Sequence, residues 1–212
     1  MEHDFWHERW RTGQTGFHEG TSNRLLVRHF DALELSAARR IFVPLCGKSR
    51  DVAWLLDAGH RVVGVELSEL AIQELFVELD LEPQVERTDD HLIYRGPGLE
   101  IFVGDFFSLT SGGTGPVDAV YDRAALVALP ETLRHRYARR LFELTGGAPQ
   151  LVVTFDYDPS LMDGPPFSID ADEIGRCHGG RYRIELLERA PVGGPLKGRA
   201  RADECAWLLT PA

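Results

Sequence analysis

The chain has 212 residues, 43% of them hydrophobic and 26% charged, with a formal net charge of −10 at pH 7. That length suits one α/β domain with a sheet covered on both faces, and the composition supports a packed core rather than disorder. The acidic balance excludes a phosphate-backbone binder, because affinity for nucleic acid rests on clustered Lys and Arg.

The N-terminus, MEHDFWHERW, is charged and aromatic where an export signal needs a basic start followed by an apolar stretch. No apolar run approaches the roughly 20 residues that span a bilayer, so no membrane partner is expected. Phe5, Trp6, Trp10 and Phe17 precede the first strand. Such a segment folds over a ligand as a lid, staples itself to the sheet, or does both. Arg24 to Leu35 has apolar residues at roughly helical spacing, with Ser22 or Asn23 placed to cap it.

Arg40 to Val43 then reads as a strand stopped by Pro44, followed by the turn Leu45-Cys46-Gly47-Lys48-Ser49, a helix over Asp51 to Ala58 and a strand over Arg61 to Val65. A second helix runs from a cap-like Ser68 to about Leu79 and closes before Pro83. Leu99 to Val103 and Val117 to Tyr121 read as strands, Pro130 to Leu144 as a helix, and Gln150 to Tyr157 as a β-branched strand. This alternation implies parallel pairing with right-handed crossovers. Arg183 to Arg189 and Glu204 to Thr210, with no helix between them, read as an antiparallel pair at one sheet edge.

Open parallel sheets bind ligands beyond the carboxyl ends of their strands, where strand order reverses. Glu66 ends the second strand 19 residues after Gly47. An acid at about that spacing can accept hydrogen bonds from both ribose hydroxyls of a nucleoside. The turn has a single glycine instead of GxGxxG, which disfavours a pyrophosphate ligand, and Phe42 stands where a P-loop needs its first glycine. A nucleoside without phosphates, such as S-adenosylmethionine, suits the turn better.

Gly104-Asp105-Phe106-Phe107 follows the third strand. Asp105 or the Phe106 backbone would meet an adenine amino group while a Phe packs on the ring; a core Phe pair behind a capping Asp fits the same residues. Asp122 and Arg123 end the fourth strand, where a methyl donor and acceptor would meet. The Arg fork suits an anionic ligand, although an ion pair there would also serve structure alone. Eight histidines form no HExxH or comparable pair, so no metal is expected. Cys46, Cys177 and Cys205 are odd in number and far apart, which fits a reducing cytoplasm.

These residues resemble the thiopurine S-methyltransferase family. The matching stretches are Phe5-Trp6-His7-Glu8-Arg9-Trp10 through Gly16-Phe17-His18, Val43 to Ser49, Gly59 to Glu69, Tyr121 to Leu126, and Asp156-Tyr157-Asp158 to Gly164-Pro165-Pro166-Phe167. The resemblance implies a Rossmann-like class I methyltransferase, α/β, with a seven-stranded, mostly parallel sheet, its last strand antiparallel, and helices on both faces. Residues 1–212 would form a single methyltransferase domain, with 1–38 as N-terminal lid and preliminary helix and 39–212 as sheet core. It also places Trp6, Phe17, Leu45, Glu66 and Phe106 around S-adenosylmethionine and Arg123 at the acceptor side. With Trp10, Gly47 and Asp105 these residues and Arg123 make up the expected cofactor set; Arg123 and Asp122 are the expected catalytic pair, Asp122 holding Arg123 in place. Beyond about residue 190 the motifs fade, and Lys197, Arg199 and Arg201 are the candidates for a further substrate-facing cation.

The expected reaction is methyl transfer from S-adenosylmethionine, leaving S-adenosylhomocysteine, to an aromatic or heterocyclic thiol or another soft anionic small molecule. Selenium or tellurium oxyanions and halide or thiocyanate are alternative acceptors. A non-catalytic S-adenosylmethionine-binding domain and a short-chain oxidoreductase are the rivals; the missing Tyr-x-x-x-Lys disfavours the latter. The protein is expected to be a cytoplasmic monomer.

Overall fold

The computed structural model describes residues 3–15, 19–36 and 39–212. Phe17 lies outside them. The elements are α1 (His3–Arg11), α2 (Arg24–His29), β1 (Arg40–Pro44), α3 (Arg50–Asp57), β2 (Arg61–Glu66), α4 (Glu69–Glu78), β3 (Gln84–Arg87), β4 (Leu92–Gly96) and β5 (Leu99–Val103). They continue as α5 (Ser111–Thr114), β6 (Ala119–Arg123), α6 (Glu131–Thr145), β7 (Gln150–Asp156), α7 (Ala171–His178), β8 (Tyr182–Pro191) and β9 (Asp203–Pro211).

The strands form one sheet in the order β3-β4-β5-β2-β1-β6-β7-β9-β8. The central five are parallel, and β9 runs antiparallel to β7 and β8. Seven strands with the last reversed are therefore present, as expected, but the sheet has nine. The additional β3-β4 hairpin extends it antiparallel from β5.

Alternating side chains send β1, β2 and β6 residues to opposite faces. Ile41, Val43, Val62 and Tyr121 pack with Val52 and Leu55 of α3 and Ile72 and Leu75 of α4. Phe42, Val63, Val65 and Val120 pack with Tyr137 and Leu141 of α6 and Ile174 of α7 on the other face. Each fully buried Leu, Ile or Phe contributes about 2 kcal/mol, so these two layers fix strand register.

Caps set where the helices start. The Asn23 side chain accepts hydrogen bonds from the Leu25 and Leu26 amides, so Asn23 and not Ser22 caps α2. Ser49 and Ser68 do the same for α3 and α4. α2 is shorter than its apolar spacing suggests, giving way at Phe30 to a 3-10 turn through Leu33. No helix among the described residues is long and apolar enough to cross a membrane.

Candidate active site

The carboxyl ends of β1, β2, β6 and β7 open into a cavity of about 560 Å³. The reversal of strand order falls between β1 and β6, so the chain leaves the sheet in opposite directions there and cannot fill the gap. One half of the cavity lies over β1 and β2. The Leu45-to-Ser49 turn forms its floor, tied to the sheet by the Cys46 amide donating to Val65 O at 3.0 Å. Leu45 has φ 49°, a left-handed conformation costly for a branched residue and sustained only where neighbours enforce it. Gly47 has φ 51°, and a Cβ there would lie 3.0 Å from the buried Trp10 ring, so the turn and the N-terminal helix meet only because the side chain is absent.

Glu66 ends β2 with 6% of its surface exposed. Its Oε2 accepts from the Gly47 amide and its Oε1 from the Ser68 amide, both at 2.9 Å. Burial pushes its pKa up, and the amides of Ser68, Gly47 and Leu67 oppose that by stabilising the charge. Two backbone donors fix the carboxylate plane and leave lone pairs on both oxygens for a diol.

The other half lies over β6, β7 and β9 and carries opposed charges. Arg123, 9% exposed, pairs with Glu19 at 2.5 Å. Lys197 lines the same half and donates to Pro165 O; burial, then Arg9 and Arg199, push its pKa down. Glu204 lines it from β9, its Oε1 accepting from Asn23 Nδ2 at 2.8 Å. Phe155, Pro165, Pro166, Val192 and Leu196 supply apolar wall between these charges.

The structure brings Trp6, Trp10, Leu45, Gly47, Glu66 and Arg123 to one cavity. Asp122, Asp105 and Phe106 stand apart from it. Asp122 does not hold Arg123: being adjacent on a strand, it points to the opposite face, where Oδ2 accepts from Tyr137 Oη at 2.6 Å and Oδ1 from the Leu126 amide at 3.1 Å. Burial raises its pKa to about 6. Asp122 thereby secures the turn after β6, in which Ala124 takes φ 64° against the cavity. Asp105 caps the 3-10 turn after β5 by accepting from the Phe107 amide, and the Phe106 ring is buried against Phe107 and Tyr137. The capping and core reading of this pair therefore holds, and the Phe106 ring is no part of the cavity wall. Of the three late cations only Lys197 lines the cavity. Sequence reasoning did not single out Glu19 or Glu204.

The family model of thiopurine S-methyltransferase matches residues 1–207, well past residue 190 where the recognisable motifs fade. The chain is 53% identical over 210 residues to the thiopurine S-methyltransferase of Xanthobacter autotrophicus, covering 99% of each protein. It is 50% identical to that of Teredinibacter turnerae, covering 99% of this chain and 98% of that one. Its fold is similar to a Burkholderia thailandensis 1,6-didemethyltoxoflavin-N1-methyltransferase solved with bound 1,6-didemethyltoxoflavin and S-adenosylhomocysteine. That likeness has TM-score 0.67 at 16% identity and covers 98% of this chain and 87% of the other. A TehB-like SAM-dependent methyltransferase from Corynebacterium glutamicum is also similar, with TM-score 0.58 at 15% identity, covering 99% and 98%.

Proposed function

The chain belongs to the thiopurine S-methyltransferase family, and on that premise we propose that it methylates the sulfur of aromatic or heterocyclic thiols. It is an S-adenosylmethionine-dependent methyltransferase. The residues at the β1-β2 half fit that donor. Glu66 has lone pairs for a ribose diol, the Gly47 turn has no phosphate cradle, and Trp6, Trp10 and Leu45 supply apolar surface. When bound, S-adenosylmethionine supplies an electrophilic sulfonium methyl group.

The observation that carries the acceptor assignment is the composition of the second half: Arg123 and Lys197 set in a wall of Phe155, Pro165, Pro166, Val192 and Leu196. The cations favour an anionic sulfur, and the wall favours a flat apolar ring behind it. Aromatic thiols ionise near neutral pH, so alignment within the cavity supplies much of the rate. Asp122 acts as a positioning residue, holding the Arg123-to-Ala128 turn through Leu126 and Tyr137. The reading includes a cytoplasmic, monomeric protein with one methyltransferase domain; its three cysteines are all free.

Incubation with labelled S-adenosylmethionine and a panel of aryl thiols, heterocyclic thiols, tellurite and halide tests the assignment. Label is expected in the thioethers. Label only in volatile tellurium or halide products would replace this reading with that of a small-anion methyltransferase.

A further inference from the structure

Glu204 sits in the acceptor half without being committed to its cations. Among the described residues no ion pair engages it, and its Oε2 has no hydrogen-bond partner. Arg123 pairs instead with Glu19. Glu204 Oε1 is fixed by Asn23 Nδ2, and Asn23 is itself fixed, its amide donating to Asp51 Oδ1 at 2.7 Å while Asp51 Oδ2 accepts from Tyr121 Oη at 2.9 Å. The carboxylate is thus half-buried, oriented from behind by a buried network, and lines the cavity in front. Its β9 residue pairs with Phe155 on β7, placing it beside the apolar wall proposed for the acceptor ring.

Resting on the thiol-methyltransferase reading, we propose that Glu204 is the general base that deprotonates acceptors bound as neutral thiols. The acceptor S–H bond breaks with its proton passing to Glu204 and the electron pair staying on sulfur. That sulfur then forms the new S–CH₃ bond as the donor's sulfonium S–CH₃ bond breaks, its pair returning to the donor sulfur. The proton leaves Glu204 for solvent, so one proton is released per methyl transferred. Burial and the charge of Glu19 raise the Glu204 pKa, while Asn23, Arg123 and Arg24 oppose the rise, which leaves a carboxylate more basic than an exposed one.

The test is kcat/KM for a series of aryl thiols whose own pKa values run from below to above the assay pH, measured on wild type, Glu204→Gln and Glu204→Asp. Glu204→Gln, which removes a negative charge acting on Arg123, should equal or modestly exceed wild type for thiols already ionised and lose about a hundredfold for those still protonated, the loss closing as pH rises through each thiol's pKa. Glu204→Asp should recover part of it. A second readout needs no turnover: calorimetry of a weakly acidic thiol binding beside S-adenosylhomocysteine, in buffers of different ionisation enthalpy. Wild type should retain the thiol proton, whereas Glu204→Gln should release it to buffer or fail to bind the thiol. A uniform loss across the series, no loss at all, or equal proton release and binding in both proteins overturns the assignment. Wild type turning over no thiol would instead overturn the function on which it rests.

Discussion

The two halves of the cavity present different physics to a ligand. Over β1 and β2 a single buried carboxylate, Glu66, is oriented by backbone amides, and the turn beneath it is shaped by Gly47 and Trp10. Over β6, β7 and β9 charge faces charge, with Arg123, Lys197, Glu19 and Glu204 set among apolar side chains. Backbone-fixed geometry of this kind would recognise one nucleoside whatever the other substrate is. A field of opposed side-chain charges sets which acceptors are tolerated and in which protonation state.

Substitutions should separate the halves. The largest effect is expected at Glu66→Ala, which removes the carboxylate proposed to hold the ribose and leaves the Gly47 and Ser68 amides without their acceptor. S-adenosylmethionine affinity measured by calorimetry should fall about a hundredfold, on the order of 3 kcal/mol. Equal affinity in that variant would erase the distinction between halves. Next is Arg123→Ala, for which kcat/KM with ionised thiols should drop about thirtyfold, ~2 kcal/mol, while S-adenosylmethionine affinity is kept. Loss of both together would make Arg123 part of the donor half.

A pH-dependent effect, at most about 3 kcal/mol once either group has titrated fully, distinguishes the support of the acceptor half from helix α7. Asp122 has its pKa raised to about 6 from 3.8, so the folded chain takes up this proton first and gains stability as pH falls through that interval. His178 is fully buried on α7 with neither ring nitrogen partnered among the described residues, and burial lowers its pKa to about 4 from 6.5. There the unfolded chain protonates first, and stability is lost as pH falls from 6.5 to 4. The two oppose each other in wild type. Asp122→Asn should make Tm fall more steeply on acidification by a few degrees, and His178→Gln should do the reverse. Parallel Tm profiles in both variants would contradict the buried-charge account.

The smallest effect is at Glu19→Gln. With its side chain 47% exposed, Glu19 competes only weakly for Arg123. KM for ionised thiols should fall about twofold, and the gain should shrink with added salt. A rise in KM would mean that Glu19 assists the acceptor instead of opposing it.

The donor half was the more legible in sequence, because its parts are local. A strand stopped at Pro44, a one-glycine turn and an acid ending the next strand lie within 30 residues and follow from strand-turn-helix-strand order. The acceptor half depends on long-range meetings such as Asn23 with Glu204, separated by 181 positions, for which periodicity carries no signal. Alternation along β6 could have shown that Asp122 and Arg123 face opposite ways, since neighbouring strand residues always do. β3 escaped because Gln84 to Arg87 is exposed throughout and has no apolar face, whereas β4 carries a short apolar run, Leu92-Ile93-Tyr94, that was there to be read. α7 escaped because only Ile174 and Cys177 mark an apolar stripe among charged residues and Gly175.

The most direct test of the two-half cavity is a crystal structure with S-adenosylhomocysteine and an aryl thiol bound together. The ribose hydroxyls should lie on the Glu66 carboxylate, with the thiol sulfur toward Arg123 and its ring against Phe155 and Pro165. A nucleoside bound away from Glu66, or a thiol lodged over β1 and β2, would contradict the account.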